Sequence, residues 1–254
     1  MKLSLFNRRE KKPATLTFWD APESRPKKAR SYLLAIAVAT VVLWQVPYGD
    51  TLLYPFTLLA TWFHEMGHGL ASMLLGARFE RLVIFSDASG YAEWSWAGDT
   101  PRLVDALTAA AGLIGPSLAG AAMIVASRSA RATRIVLYAL AAALVLSTLI
   151  WVRSWVGWIA LPGLAACIFA AAASKRSEVR RFAIEFLGVQ AAISVWQDLG
   201  YMFSEGATVG GQTGLSDTAA IEQALFLPYW FWGGAISVAI AFILWKALSI
   251  ANRN

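Results

Sequence analysis

What this chain can fold into is set by its apolar runs. They occupy residues 32–46, 51–77, 103–127, 135–152, 155–173, 182–203 and 229–248. Most approach the roughly 20 residues that a helix needs to cross the hydrocarbon layer of a bilayer. A soluble domain carries about 25% charged residues, whereas here 15% are charged, 57% are hydrophobic and the mean hydropathy is +0.53. That much apolar surface cannot be buried in one core beneath a polar coat. Disorder, collagen-like repeats and a disulfide scaffold are excluded, and a soluble enzyme nearly so. The pattern predicts an all-α polytopic membrane protein of six or seven membrane segments, with Trp44, Trp151, Trp155, Trp230 and Trp245 near run ends as an interfacial belt.

The net charge of +6 resides at one end. Residues 1–30 hold nine Lys or Arg against three acids, and the remainder is balanced. This reads as a flexible cytoplasmic tail that sets topology and is drawn to anionic lipid, and it gives no nucleic-acid-binding face. Residues 31–254 read as a single membrane-embedded domain. With the tail inside and seven crossings, the basic loops 128–134 and 175–181 fall outside. One segment that enters and leaves on the same side, 51–77 or 103–127, moves both inside. Pro116 predicts a kink or interruption in 103–127, and Gly112, Gly115 and Gly120 predict close helix approach. Residues 79–86 and 90–96 alternate around the turn at 87–90, a β-hairpin over 79–96. Residues 204–216 read as a Gly-rich polar loop before a short helix that opens at Asp217. Cys167 cannot form an internal disulfide and reads as a buried small hydrophobe.

The chain holds two histidines, and they occur in His64-Glu65-Met66-Gly67-His68, an H-E-x-x-H pattern. Four residues apart on a helix, both imidazoles lie on one face and can reach one metal ion. Glu65, about 100° round the helix, can reach a water held there and act as general base. Zinc would acidify that water toward roughly pKa 7 and polarise a carbonyl. Ionisable groups in an apolar segment are costly, and they mark function by default.

An open zinc site needs a third protein ligand. No histidine remains, and Cys167 has nothing nearby to stabilise a thiolate. A carboxylate is left. Asp198 lies in the run Ser194–Tyr201, and Asp217 opens a helix after Ser216, where it also suits an N-cap. Glu185 and Asp105 lie nearer segment ends, and Glu222 fits a solvated helix face.

These residues resemble the site-2 proteases, zinc metalloproteases that cut within membranes, and most closely their divergent B-type branch. The resemblance covers about residues 50–250. It rests on Trp62-Phe63-His64-Glu65-Met66-Gly67-His68-Gly69, the hairpin, Ala111-Gly112-Leu113-Ile114-Gly115-Pro116-Ser117-Leu118, and Ser216-Asp217-Thr218. The better-known members carry an Asn-Pro-Asp-Gly or Leu-Asp-Gly motif, which this chain lacks. The divergent branch resembles Ser-Asp-Ala, which Ser216-Asp217-Thr218 matches best. The resemblance implies His64, His68 and Asp217 as ligands of one Zn2+, with Asp198 the alternative third ligand, and Glu65 as the catalytic base. It implies regulated proteolysis of membrane-anchored protein substrates, in the inner membrane of a bacterium. It also implies that a hairpin strand pairs with an unwound substrate segment. Two other readings compete. One is a non-proteolytic zinc-binding scaffold or chaperone-like subunit, against which the intact Glu65 speaks. The other is a transporter with a carboxylate pathway, for which no internal repeat is visible.

Overall fold

The computed structural model describes residues 29–251. The basic tail 1–30, up to residue 28, lies outside the described residues. The described chain is mostly helical. In order it forms α1 (Ala29–Leu43), α2 (Gly49–Leu74), β1 (Arg78–Ile84), β2 (Gly90–Ser95), α3 (Arg102–Ala126) and α4 (Ala130–Ile150). Then come α5 (Trp155–Ala173), α6 (Ser177–Met202), β3 (Gly206–Val209), β4 (Gln212–Leu215), α7 (Asp217–Leu225) and α8 (Tyr229–Ala251). Three helices start at serines whose Oγ accepts a backbone N–H of the first turn. Ser129 accepts from Ala132, Ser154 from Gly157 and Ser216 from Ala219. Each satisfies a donor that the helix itself leaves unpaired.

Four helices, α3, α4, α5 and α8, are long and apolar enough to cross a membrane. The run-based expectation was six or seven. The difference has two causes: α1, at 15 residues, is short, and the other two helices carry polar groups. Helices α2 and α6 are 26 residues each, but α2 carries His64, Glu65 and His68, and α6 carries Glu185, Gln190 and Asp198. These side chains lower the hydropathy of two helices that are otherwise long enough.

Helix α3 is the hub. It joins the core of Leu58, Leu59 and Trp62 (α2), Leu82 (β1) and Leu144 (α4) through Met123. Through Leu113 it joins a second core of Met202, Ile221 and Ile236. Glycines let its neighbours approach closely. A Cβ at Gly67 would lie 2.5 Å from the carbonyl oxygen of Ala111, and one at Gly115 would lie 2.7 Å from that of Phe63. At Gly120 the obstruction is the Gly188 carbonyl of α6, 2.7 Å away. Pro116 neither interrupts α3 nor ends it, since the helix runs through to Ala126. In membrane helices a proline is tolerated where neighbouring groups re-satisfy the freed backbone carbonyl.

Hairpin β1–β2 pairs antiparallel, with Leu82 opposite Ala92 and Ile84 opposite Gly90. The other edge of β1 is closed by the α4–α5 connection. The Leu82 N–H donates to the Trp151 carbonyl, and the Leu82 carbonyl accepts from the Arg153 N–H, both at 2.9 Å. The Ile84 N–H donates to Ser154 Oγ at 3.0 Å. In an antiparallel pair, opposed residues alternate between bonded and non-bonded pairs. Leu82 and Ile84 spend their amides elsewhere, so Ala92 and Gly90 point their own backbone groups outward. The free edge of this sheet is therefore β2.

Two further expectations are corrected. Residues 204–216 are not a plain loop: β3 and β4 pair antiparallel around Gly210-Gly211, whose φ angles are +56° and +81°. Two residues in the left-handed region make a tight hairpin turn, and Gly-Gly between short strands is its sequence signal. Cys167 is exposed, not buried. In a helix whose outer side is as apolar as its inner side, apolar neighbours do not mark the interior.

Gly120→Val should lower the thermal unfolding midpoint in detergent, as overpacking costs about 1–3 kcal/mol. Gly163→Ala, where an added Cβ meets nothing within 4 Å, should leave the midpoint unchanged or raise it slightly.

Candidate metal centre

One turn of α2 presents His64 and His68 on the same face, with ring centroids 4.7 Å apart and planes near perpendicular. Their Nε2 atoms lie 3.1 Å apart. The Nδ1 of His68 lies 2.8 Å from the backbone carbonyl of Thr108 on α3. A carbonyl only accepts, so Nδ1 carries the proton and Nε2 keeps its lone pair. Trp94 of β2 stacks over the same ring at 6.0 Å. Gly112 leaves room for it: a Cβ there would lie 2.2 Å from the imidazole.

The third group arrives from α7. Ser216 is its N-cap, so Asp217 in the first turn keeps its carboxylate for other partners. Oδ2 stands 3.1 Å from His64 Nε2, and Oδ1 stands 3.4 Å from His68 Nε2. Although buried, Oδ2 has no partner in hydrogen-bond geometry. The Asp217 N–H donates to the Tyr201 hydroxyl at 3.0 Å. Thr218 Oγ1 donates to the Met202 carbonyl at 3.0 Å, which ties the start of α7 to the end of α6.

The donor set fits a metal. One ligand atom from each of His64, His68 and Asp217 lies within 4.8 Å of the others. Tetrahedral zinc with bonds of about 2.0–2.1 Å puts its ligand atoms roughly 3.3–3.4 Å apart, close to the 3.1 Å between the two Nε2 atoms and the 3.1 Å from His64 Nε2 to Asp217 Oδ2. A bare imidazole nitrogen on His68 and an orphaned buried carboxylate oxygen on Asp217, gathered in one cluster, are groups that lack a shared cation.

Glu65 is buried and lies beside the first hairpin, where the Ala92 N–H hydrogen-bonds its carboxylate. It shares with His64 the wall of a cavity of about 430 Å³ between α2, α6, the β1–β2 turn and β3. Asp198 also lines this cavity but does not join the three donors. Glu185 pairs with Arg181 at 3.1 Å, and Glu222 accepts the Tyr229 N–H at 2.9 Å. The β3–β4 turn rests on the β1–β2 turn through the Gly210 N–H, which donates to Ser89 Oγ at 3.0 Å. At that turn the Ser89 hydroxyl and N–H donate to Asp87 and hold its carboxyl below the usual carboxylate range. Sequence reasoning misses Tyr201, Trp94 and the Thr108 carbonyl, which reach the site only through tertiary packing.

A helical H-E-x-x-H with a carboxylate brought to its histidines is the donor set of a metallopeptidase, and the four long apolar helices fit an integral membrane protein. The family model described as Peptidase M50B-like matches residues 33–247. The chain therefore belongs to this family, a site-2 protease family whose M50 peptidases are zinc-dependent. No curated protein and no solved structure gives a significant match.

Zinc counted on detergent-purified protein should be one per chain in the wild type, in Glu65→Gln and in Asp198→Asn. It should fall well below one in His64→Ala and Asp217→Asn.

Proposed function

We propose that this chain is a zinc-dependent intramembrane endopeptidase that hydrolyses peptide bonds of membrane-anchored proteins. The observation that carries the reading is the convergence of His64, His68 and Asp217 beside the cavity that Glu65 lines. Bound there, zinc would polarise the scissile carbonyl and acidify the attacking water. Glu65 is placed to take the proton of that water and pass it to the leaving nitrogen. The N–H of Ala92, on the carboxylate of Glu65, orients it. A structural zinc site closes its fourth position and needs no base, so the intact Glu65 favours the protease over a zinc-binding scaffold.

The substrate must arrive extended, because the carbonyls of a helix are shielded by its own hydrogen bonds. The free edge of β2 runs past Glu65: a Cβ at Gly90 would lie 3.2 Å from Glu65 Cγ. Main-chain pairing to this edge would hold an unwound segment at the site. In this reading α1, α2 and α6 cross with the four apolar helices, giving seven segments, or six if one re-enters on the same side. Residues 31–254 act as one membrane-embedded domain. The basic tail stays cytoplasmic against anionic lipid, and the membrane is the inner membrane of a bacterium. The activity would serve regulated proteolysis, releasing a membrane-held regulator.

Purified wild type should cleave transmembrane peptides, and Glu65→Gln should lose cleavage while it keeps zinc. Zinc kept without cleavage by any form would turn the reading to the scaffold, and no zinc in the wild type would end both. Ala92→Pro, which removes the N–H that the Glu65 carboxylate accepts, should lower kcat about tenfold or more with zinc retained. An unchanged kcat would remove Ala92 from the positioning of Glu65.

A further inference from the structure

Hydrolysis of an amide drives negative charge onto the carbonyl oxygen, and a donor aimed at that oxygen speeds the step. The cavity wall offers few. No Lys, Arg or Asn among the described residues lines it. Most of its hydroxyl protons are spent on backbone or carboxylate oxygens. Thr57 donates to Leu53, Thr61 to Thr57 and Ala88, Ser89 to Asp87, Ser194 to Ala191, and Ser204 to Tyr201 and Gly206. Gln197, Thr208 and Tyr201 remain.

Of these, Tyr201 is the one built into the metal centre. Its hydroxyl oxygen accepts the Asp217 N–H at 3.0 Å, and its ring meets His64 edge to face at 6.2 Å. That bond uses a lone pair of the phenol and leaves its proton, which the Asp217 carboxylate accepts. A metal ion held by that carboxylate would compete for it and free the proton.

We propose that Tyr201 is a catalytic residue of the protease described above, its phenolic O–H donating a hydrogen bond to the scissile carbonyl oxygen as that oxygen becomes negative. The inference rests on the protease reading. The Asp217 N–H fixes the phenol by its oxygen beside the donor cluster, and Tyr201 lines the cavity, so with the Asp217 carboxylate engaged by a metal the proton would be available to a substrate held there.

The test is Tyr201→Phe, which removes one hydroxyl and keeps the ring. With a transmembrane peptide that wild type cleaves, kcat should fall about 100- to 1,000-fold, with KM, zinc content and unfolding midpoint unchanged. A phosphinic analogue of the same peptide, whose tetrahedral centre carries a charged oxygen, should bind Tyr201→Phe more weakly than wild type. The uncleaved peptide should bind Glu65→Gln and the double variant Glu65→Gln/Tyr201→Phe equally. An unchanged kcat overturns the proposal. So does a loss of zinc, which would make Tyr201 a positioning residue for Asp217, and so does a kcat loss in Gln197→Leu that Tyr201→Phe does not share. Wild type that neither cleaves the peptide nor binds the analogue removes the protease reading, and the role of Tyr201 with it. Wild type that cleaves no faster than Tyr201→Phe removes only the latter.

Discussion

The contact between α2 and α3 governs the rest of the molecule. Gly67 on one helix and Gly112 and Gly115 on the other let the two backbones touch. At that distance a main-chain carbonyl, that of Thr108, reaches the ring of His68. Small residues are how helices associate where lipid is as apolar as leucine and burial alone drives nothing together. Here the same closeness fixes an imidazole tautomer. Because α3 also packs against α6, α7 and α8, the element that brings Asp217 is referenced to the same helix as the histidines.

The polar content of the body is concentrated accordingly. A charged group in hydrocarbon is costly, and it persists where it faces the protein interior. His64, Glu65, His68, Asp198 and Asp217 gather around one centre and one cavity. The outward faces carry residues such as Trp155, Trp196 and Val238, each about 70% exposed. In water that surface would be a defect; in a bilayer it is the correct exterior.

The parts of this arrangement visible in the residues are those set locally. The i, i+4 spacing of His64 and His68 needs only a helix, and the alternation across 79–96 needs only a hairpin. Asp217 is harder, because an Asp at a helix start can equally be a cap. Ser216 takes that role, and sequence spacing alone does not decide between the two. Asp198 looks equivalent on paper, yet it lies on the cavity wall while Asp217 meets the histidines, a distinction made by how α6 and α7 are stitched together. The β3–β4 hairpin had a readable signal in Gly210-Gly211, masked by the polar run around it. Counting apolar runs overstates the plainly apolar spans, because α2 and α6 give up hydropathy to carry functional groups. Cys167 misleads for the related reason that apolarity surrounds a membrane helix on all sides.

Hairpin β1–β2 has two edges, and Leu82 with Ile84 closes one of them against the α4–α5 connection. An unpaired strand edge templates the addition of any extended chain, including a misfolded neighbour. This protein keeps its one open edge in that sheet beside a cavity roofed by β3–β4 and walled by helices. The surface that would receive a cleavable segment is thereby withheld from indiscriminate self-association. Truncations that remove the roof would be expected to trade solubility in the membrane for sticky, sheet-linked assemblies.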